Sequence, residues 1–312
     1  MGDTHINLCK NYIFDEEPFF CNDLVGSNKY LLKVVSFNLH GINQGSAFLK
    51  SILSEAMVDF VLIQEHWLSE NTMYKLTNLA KQNYSCFVTS AMEDRIGSDT
   101  LYGRPFGGVG ILVNNSLIKN IRCLFQNDRC IVLKFNNLII INVYMPTRYT
   151  IPLVNRDGVD ALNSLLSILS DLLDSYKECS VIIGGDFNCH TIYNLNELEF
   201  VFKPLDAFRK KCNFVFVENY HKCHLDYTYN HATLDRVSKI DYFLVSGNIA
   251  CDLVDFHIID TPLNFSDHLP ISIILQIDST VNCSNSFKVG EIEKKNRVQI
   301  FKMGSWRHQQ IL

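Results

Sequence analysis

A long apolar run, a secretory leader, a repeated cysteine spacing and an excess of positive charge are all missing from this chain. No apolar stretch approaches the roughly 20 residues that a membrane-spanning helix needs, which excludes an integral helical membrane protein. The first residues, MGDTHINLCKNYIFDEEPFF, carry acids early and no apolar leader core, so the expected location is nucleus or cytoplasm and secretion is not expected. Outside an oxidising compartment the 11 scattered cysteines should stay reduced and pack as small apolar residues. Cys212, His221, Cys223 and His224 crowd together, but their spacings fit no structural zinc pattern. Lys and Arg number 28 against 33 Asp and Glu, a net charge of -5. That balance does not announce a nucleic-acid binder, although a basic groove can sit on an acidic body.

Hydrophobic residues make up 47% of the 312 and charged residues 20%, a composition that folds. The length suits one large α/β domain or two small ones. Residues 1–30 have no clear period and read as an irregular lead-in. Residues 31–277 form the patterned domain. Residues 278–312 turn polar, with six Lys or Arg against two Glu over 288–312, and read as a basic tail or linker. Within the domain, LLKVVSFN, DFVLIQE, GGVGILV and VIIGG read as strands. CIVLKF and LIIINVYMP, joined by Asn136-Asn137, read as a hairpin, because Asn tolerates the positive φ of a tight turn. SAFLKSILSEA and NTMYKLTNLAKQ read as helices, the second capped by Asn71 or Thr72. VDALNSLLSILSDLLDSY sets Val159, Leu162, Leu165, Leu166, Leu169, Leu172, Leu173 and Tyr176 on one helical face. After Leu205 short strands resume in NFVFV, DYTY, KIDYFLVS, DFHIID and PISIILQ, while 91–107 reads as an exposed loop. Hairpins together with interspersed helices predict an α/β fold, a four-layer sandwich of two mainly antiparallel sheets flanked by helices.

The strand ends are polar where the strands themselves are not. VVSFN ends at Asn38, VLIQE at Glu65, INVYMP carries Tyr144 with Arg148 following, and VIIGGD ends at Asp186 with Asn188 after it. LDYTYN carries Thr228, KIDYFL opens near Asp241, and NFSDHLP sets Asp267 and His268 before a strand. One carboxylate at a strand end is more often a cap than a catalyst. Two amides, several carboxylates, a tyrosine and an Asp-His pair meeting along one edge would instead make a polar cleft on a rigid scaffold. Such a set suits phosphodiester hydrolysis. A carboxylate such as Glu65 can hold Mg²⁺, or Mn²⁺. Asp186 can take or orient the proton of an attacking water. Neutral amides donate to phosphate oxygens without adding charge. Asp267 would align His268 and favour its charged form. Loss of Asp186 or His268 is expected to cost activity and leave folding stability largely untouched.

SFNLHGI, LIQEHW, VYMP, GGDFN, KIDYFLVS and FSDHLP, in this order, resemble the endonuclease/exonuclease/phosphatase superfamily over Leu31 to Leu275. That group includes DNase I, abasic-site endonucleases of the exonuclease III type, inositol 5-phosphatases and sphingomyelinases. GGVGILVNNSL, GGDFN, KIDYFLVS and FSDHLPI are most similar to the endonuclease domain of non-LTR, LINE-type retrotransposons. The resemblance implies a DNase I-like sandwich that nicks one DNA strand, leaving a 3′-hydroxyl to prime reverse transcription. It implies Asn38 and Glu65 at the metal and Tyr144 at the scissile phosphate. Asp186 and Asn188 would handle water and phosphate, Asp241 and Asp267 would support, and His268 would contact the phosphate. Thr228 would lie on a DNA-facing strand, with Arg148 among the basic DNA contacts alongside Lys119, Arg122 and the loop from Arg95 to Arg104. Whether Asp186 or His268 is the base stays open. DNA is the implied substrate, and a reverse transcriptase, absent from these residues, the implied partner.

Abasic-site repair is the nearest rival, but an aromatic wall of tryptophans near the later strands is missing, since the only ones are Trp67 and Trp306. A secreted nuclease lacks its leader and disulfides here, and no apolar docking loop marks a lipid phosphodiesterase. A catalytically inactive relic that only binds DNA or a partner is the non-enzymatic alternative. Every matched position carries the expected residue type, which argues against random decay.

Overall fold

The computed structural model describes residues 29–278 except 56, 81, 93–105, 147–157, 190–198, 222, 232 and 235. Arg148, the loop from Arg95 to Arg104 and both chain ends therefore lie outside the described residues.

Two six-stranded sheets stack face to face. The first runs β13 (Leu253–Ile258), β14 (Ile271–Asp278), β1 (Lys29–Asn38), β2 (Phe60–Gln64), β4 (Val109–Asn114), β3 (Tyr84–Thr89). The second runs β5 (Ile121–Gln126), β6 (Cys130–Phe135), β7 (Leu138–Tyr144), β8 (Ser180–Asp186), β12 (Asp241–Ser246), β9 (Phe214–Phe216). Each sheet has one parallel pair at its centre, β1 with β2 and β7 with β8, and is antiparallel elsewhere. A parallel pair needs a crossover, and α1 (Ile42–Glu55) and α3 (Gly158–Asp174) provide the two. β10 (Tyr229–His231) and β11 (Arg236–Ser238) form a separate short hairpin. Among the described residues, no helix is long and apolar enough to cross a membrane.

Period-two alternation creates the layers. Leu32, Val34, Phe60, Leu62, Leu138, Ile140, Ile182, Phe243 and Val245 point between the sheets. Val35, Phe37, Val61 and Ile63 point the other way, onto α1 and α2 (Tyr74–Ala80). Ile139, Ile141, Val143, Val181, Ile183 and Leu244 meet α3 and α4 (Glu199–Lys211) on the outside of the second sheet. The result is the helix–sheet–sheet–helix sandwich that the patterning predicts. Leu162, Leu165, Leu166, Leu169 and Leu173 are buried along the predicted face of α3, and Asn136 takes φ 52° in the β6–β7 turn.

Several elements differ from their sequence reading. The second predicted helix begins as a 3-10 turn at Glu70–Thr72, where Ser69 N–H donates to Thr72 Oγ1 at 3.0 Å, and α2 proper starts at Tyr74. DYTY is extended only from Tyr229. The helix α4 has no counterpart in the sequence reading, because Pro204 lies inside it, where a helix is not expected, and its described apolar stripe is short, Leu205 and Phe208. β3, β5 and β11 escaped notice as well, being short or at sheet margins.

Candidate active site

The central parallel pairs end side by side, and their inner faces turn polar at the last residues. On β1 the inward series Leu32, Val34 continues into Ser36 and Asn38. On β7 Leu138, Ile140 leads to Asn142 and Tyr144, and on β8 Ile182 leads to Gly184 and Asp186. Register aligns these ends. Asn38 pairs with Gln64, Tyr144 with Asp186, and Asp186 with Asp241. The first sheet thus presents Asn38 and Glu65, and the second presents Tyr144, Asp186 and Asp241. His268 enters from the loop before β14.

Asn38 joins the two sheets. Its Nδ2 donates to Asp186 Oδ2 at 2.9 Å and to Glu65 Oε1 at 3.2 Å. Its Oδ1 accepts from the His40 backbone N–H at 3.0 Å. The expectation that Asn38 faces a metal is therefore modified: its nitrogen orients two carboxylates, and its oxygen is bonded to the backbone. Asp186 is buried, and its Oδ1 accepts from the Asn188 backbone N–H at 2.8 Å. Asn188 donates one side-chain N–H to Met145 O at 2.8 Å. The Tyr144 phenol is raised above its ordinary pKa first by burial and then by the Glu65 and Asp186 charges beside it.

His268 is buried, with Nδ1 2.9 Å from Asp241 Oδ2. Burial, the largest single influence, opposes its charge, but Asp241, joined by Asp186 and Asp267, carries the imidazole up to about 10. The sequence reading assigned alignment of His268 to Asp267, and this is corrected. Asp267 Oδ1 stands 4.0 Å from Nε2 and 2.9 Å from His40 Nδ1. Burial works against ionised Asp267, yet His40 and His268 hold it below the usual carboxylate range. Thr228 is corrected too. Its side chain is fully buried, and its Oγ1 accepts the Ile240 and Asp241 backbone N–H groups at 3.1 Å each. Thr228 seats Asp241 and does not present itself to DNA. Lys119, just before the edge strand β5, and Arg122, on it, are both exposed.

Burial first, then the neighbouring Asp241 charge, push Asp186 up to about 8, with the His268 imidazolium pulling the other way. Near neutrality Asp186 therefore keeps its proton beside Asp241 and the His268 imidazolium. Asp186, Asp241 and His268 offer ligand atoms within 4.8 Å of one another. His268 is a poor ligand there, because Nδ1 is committed to Asp241 and the ring holds its proton. Glu65 and Asp186, which converge on the single Asn38 nitrogen, are the donors that fit a hard divalent cation.

Backbone strain gathers at the same place. Glu65 and Asn188 adopt φ 51° and 50°, as do His40 and Trp67 at 45° and 55°. Each such residue costs roughly 1–3 kcal/mol and persists because its surroundings compel it. Gly185, at φ 150°, admits no side chain, since a Cβ there would stand 1.9 Å from Val143 O. The two glycines before Asp186 are thus dictated by close strand packing.

Several residues of the site were not singled out in sequence. Below the cleft Gln64 Nε2 donates to Ser36 Oγ at 3.2 Å and to Asn142 Oδ1 at 2.6 Å. Asn142 Nδ2 in turn donates to Ile63 O and Gly110 O at 2.8 Å each. Ser36 and Asn142 stand two positions before Asn38 and Tyr144, so same-face spacing is the signal that could have found them. Arg129 lies with its guanidinium 4.9 Å from the Tyr144 ring centre, and nothing in its local sequence marks it.

A sequence model of the Endonuclease/Exonuclease/phosphatase family matches residues 35–268. The chain belongs to that family. An exodeoxyribonuclease from Bacillus subtilis (strain 168) is 22% identical over 275 residues, covering 79% of this chain and 100% of the relative. Among solved structures, an AP endonuclease from Archaeoglobus fulgidus aligns with a TM-score of 0.60 at 17% identity, over 78% of this chain and 99% of that one. A 3′ phosphatase from Neisseria bound to a product DNA hairpin aligns with a TM-score of 0.58 at 16% identity, over 78% and 99%. At these identities the structural likenesses bear on the fold, which they share with the family member described here.

Proposed function

We propose that this family member is a DNA endonuclease dependent on a divalent cation, Mg²⁺ or Mn²⁺. It nicks one strand to leave a 3′-hydroxyl, in the manner of a non-LTR retrotransposon endonuclease acting with a reverse transcriptase in nucleus or cytoplasm. The observation that carries the proposal is the junction between the sheets, where Asn38 bonds both Glu65 and Asp186 beside the Asp241–His268 pair. In this reading Asp186 accepts the proton of a water attacking phosphorus. The bond to O3′ breaks, and the leaving oxygen takes a proton from solvent. The His268 imidazolium and the second side-chain N–H of Asn188 donate to non-bridging oxygens as charge builds on them. Tyr144 stands beside Glu65 and contacts the same phosphate. Glu65 with Asp186 would hold a divalent cation, which when bound would supply neutralisation of phosphate and leaving-group charge.

The test is relaxation of supercoiled plasmid by the purified chain. With Mg²⁺ the plasmid should convert to open circles, and EDTA should stop the conversion. Asp186→Ala and His268→Ala should each lose about 10²-fold or more in rate. Intact plasmid with a folded, cation-supplied protein would sink the nuclease reading. Leu263 and Phe265, the latter 68% exposed, lie on the loop just before His268 and offer apolar surface to a sugar lacking its base. That observation keeps abasic-site cleavage as a second reading. A plasmid with one abasic site separates the two: a strong preference for it favours repair, and indifference favours the retrotransposon type.

A further inference from the structure

Glu65 is held at both carboxylate oxygens. Oε1 accepts from Asn38, and Oε2 accepts from the indole N–H of Trp67 at 3.0 Å. An indole N–H is a donor only, so it supports an ionised oxygen and competes for no cation. The indole is itself fixed. Its ring centre lies 4.7 Å from that of His40, tilted by 58°. His40 Nδ1 stands 2.9 Å from Asp267 Oδ1, beside His268. Gly41 clears the space, since a Cβ there would come 2.4 Å from Trp67 Cε3. The backbone binds both turns together, with Gly41 N donating to Glu65 O at 2.7 Å, Ile42 N to His66 O at 3.1 Å, and Trp67 N to Gly107 O at 3.0 Å. A continuous run of contacts therefore leads from Asp267 through His40 and Trp67 to Glu65. Packing alone would ask for an aromatic ring here. It would not ask for a donor aimed at a carboxylate of the cation-binding pair.

We infer that Trp67 is a positioning residue for cation binding. Its N–H fixes the Glu65 carboxylate in the orientation that a divalent cation requires, and His40 with Asp267 holds the indole in place. The inference rests on the proposed reading of Glu65 as a cation ligand. Groups that orient a ligand from behind typically change metal affinity by about 10–100-fold when removed. The same contact makes Trp67 a built-in reporter. The chain has two tryptophans, so Trp306→Phe isolates its emission.

The experiment uses the full chain and Mn²⁺, counting free ion by electron paramagnetic resonance in wild type, Trp67→Phe and Glu65→Gln, with the melting temperature of each. Binding is expected to vanish in Glu65→Gln and to weaken by about 10–100-fold in Trp67→Phe, at a nearly unchanged melting temperature. Wild-type binding by Glu65→Gln would overturn the cation reading itself. Loss in Glu65→Gln with wild-type affinity in Trp67→Phe would overturn the role of Trp67 alone. Should Trp67→Phe fail to fold, Mn²⁺ titration of Trp306→Phe decides. A saturable change in Trp67 emission that Glu65→Gln abolishes supports the inference, and unchanged emission while the ion binds overturns it.

Discussion

In the proposed reaction Asp186 is a proton acceptor, in a place where a carboxylate is costly. It is buried next to Asp241, and its pKa rises to about 8, so near neutrality the cation-free folded chain keeps a proton that the unfolded chain releases near 4. His268 likewise keeps its proton up to about 10, against 6.5 when unfolded. Both shifts have the same sign. Each folded-state pKa lies above its unfolded value, so the stability each contributes is complete at low pH and is lost as pH rises. For Asp186 the loss runs between about 4 and 8, and for His268 between about 6.5 and 10. The melting temperature in EDTA should therefore fall from pH 6 to pH 10. Asp186→Asn should flatten the portion below pH 8 and raise stability at that pH by roughly 0.5–2 kcal/mol, while abolishing activity. Scanning fluorimetry across pH checks both, and a flat profile in the wild type would refute the assignment. His268→Ala behaves oppositely. It leaves Asp241 buried without its partner, a loss of about 3–5 kcal/mol, so the expectation that removing His268 spares stability does not survive its burial.

The central strands carry a gradient from apolar to polar along one face, and this gradient makes the site. Its first polar step is structural. Asn142 sits fully buried between the sheets, with both side-chain ends bonded to the opposite sheet. Asn142→Ala would leave the Ile63 and Gly110 carbonyls and Gln64 without that partner, at about 1–3 kcal/mol for each group left unsatisfied. A urea midpoint shift of that order is expected, with activity lost at temperatures where the variant is still folded, because β7 carries Tyr144 two residues on. Gly185→Ala on β8 should be worse, since its Cβ would meet a backbone oxygen that cannot move aside. The long alternating strands and the leucine face of α3 were legible because their periods are sustained. α4 was not legible, since Pro204 and a two-residue described stripe leave no period to read.

The two sheets share one apolar layer, to which β1, β2, β4 and β14 contribute from one side and β6, β7, β8 and β12 from the other. The layer at the strand ends repeats that division with polar groups: Glu65 and Asn38 from one sheet, Asp186, Asp241 and Tyr144 from the other. A cation drawing on Glu65 and Asp186 would thus tie the sheets together and should stabilise the whole unit. At an ion concentration 100 times its dissociation constant the gain is about 2.7 kcal/mol, read as a higher melting temperature with Mg²⁺ or Mn²⁺ than with EDTA. No shift in the wild type, or an equal shift in Glu65→Gln, would count against a cation at this junction.

Residue types and their order were enough to place Glu65, Tyr144, Asp186, Asp241 and His268 at strand ends and to call for a sandwich. The physical reason is local: alternation and chain direction decide which residues close a strand and on which face. Which groups touch was decided across the sheets, by register and by loop return. That is why Asp241 and not the adjacent Asp267 pairs with His268, why Thr228 turns inward to seat Asp241, and why Asn38 offers nitrogen to two carboxylates. Trp67 and His40 belong to the same class. They are two residues after Glu65 and Asn38 in sequence, but their roles follow from two left-handed turns that the tertiary structure brings ring to ring. Neighbours in sequence share a backbone, whereas partners in chemistry must share a burial site and a charge, and only the packed sheets assign those.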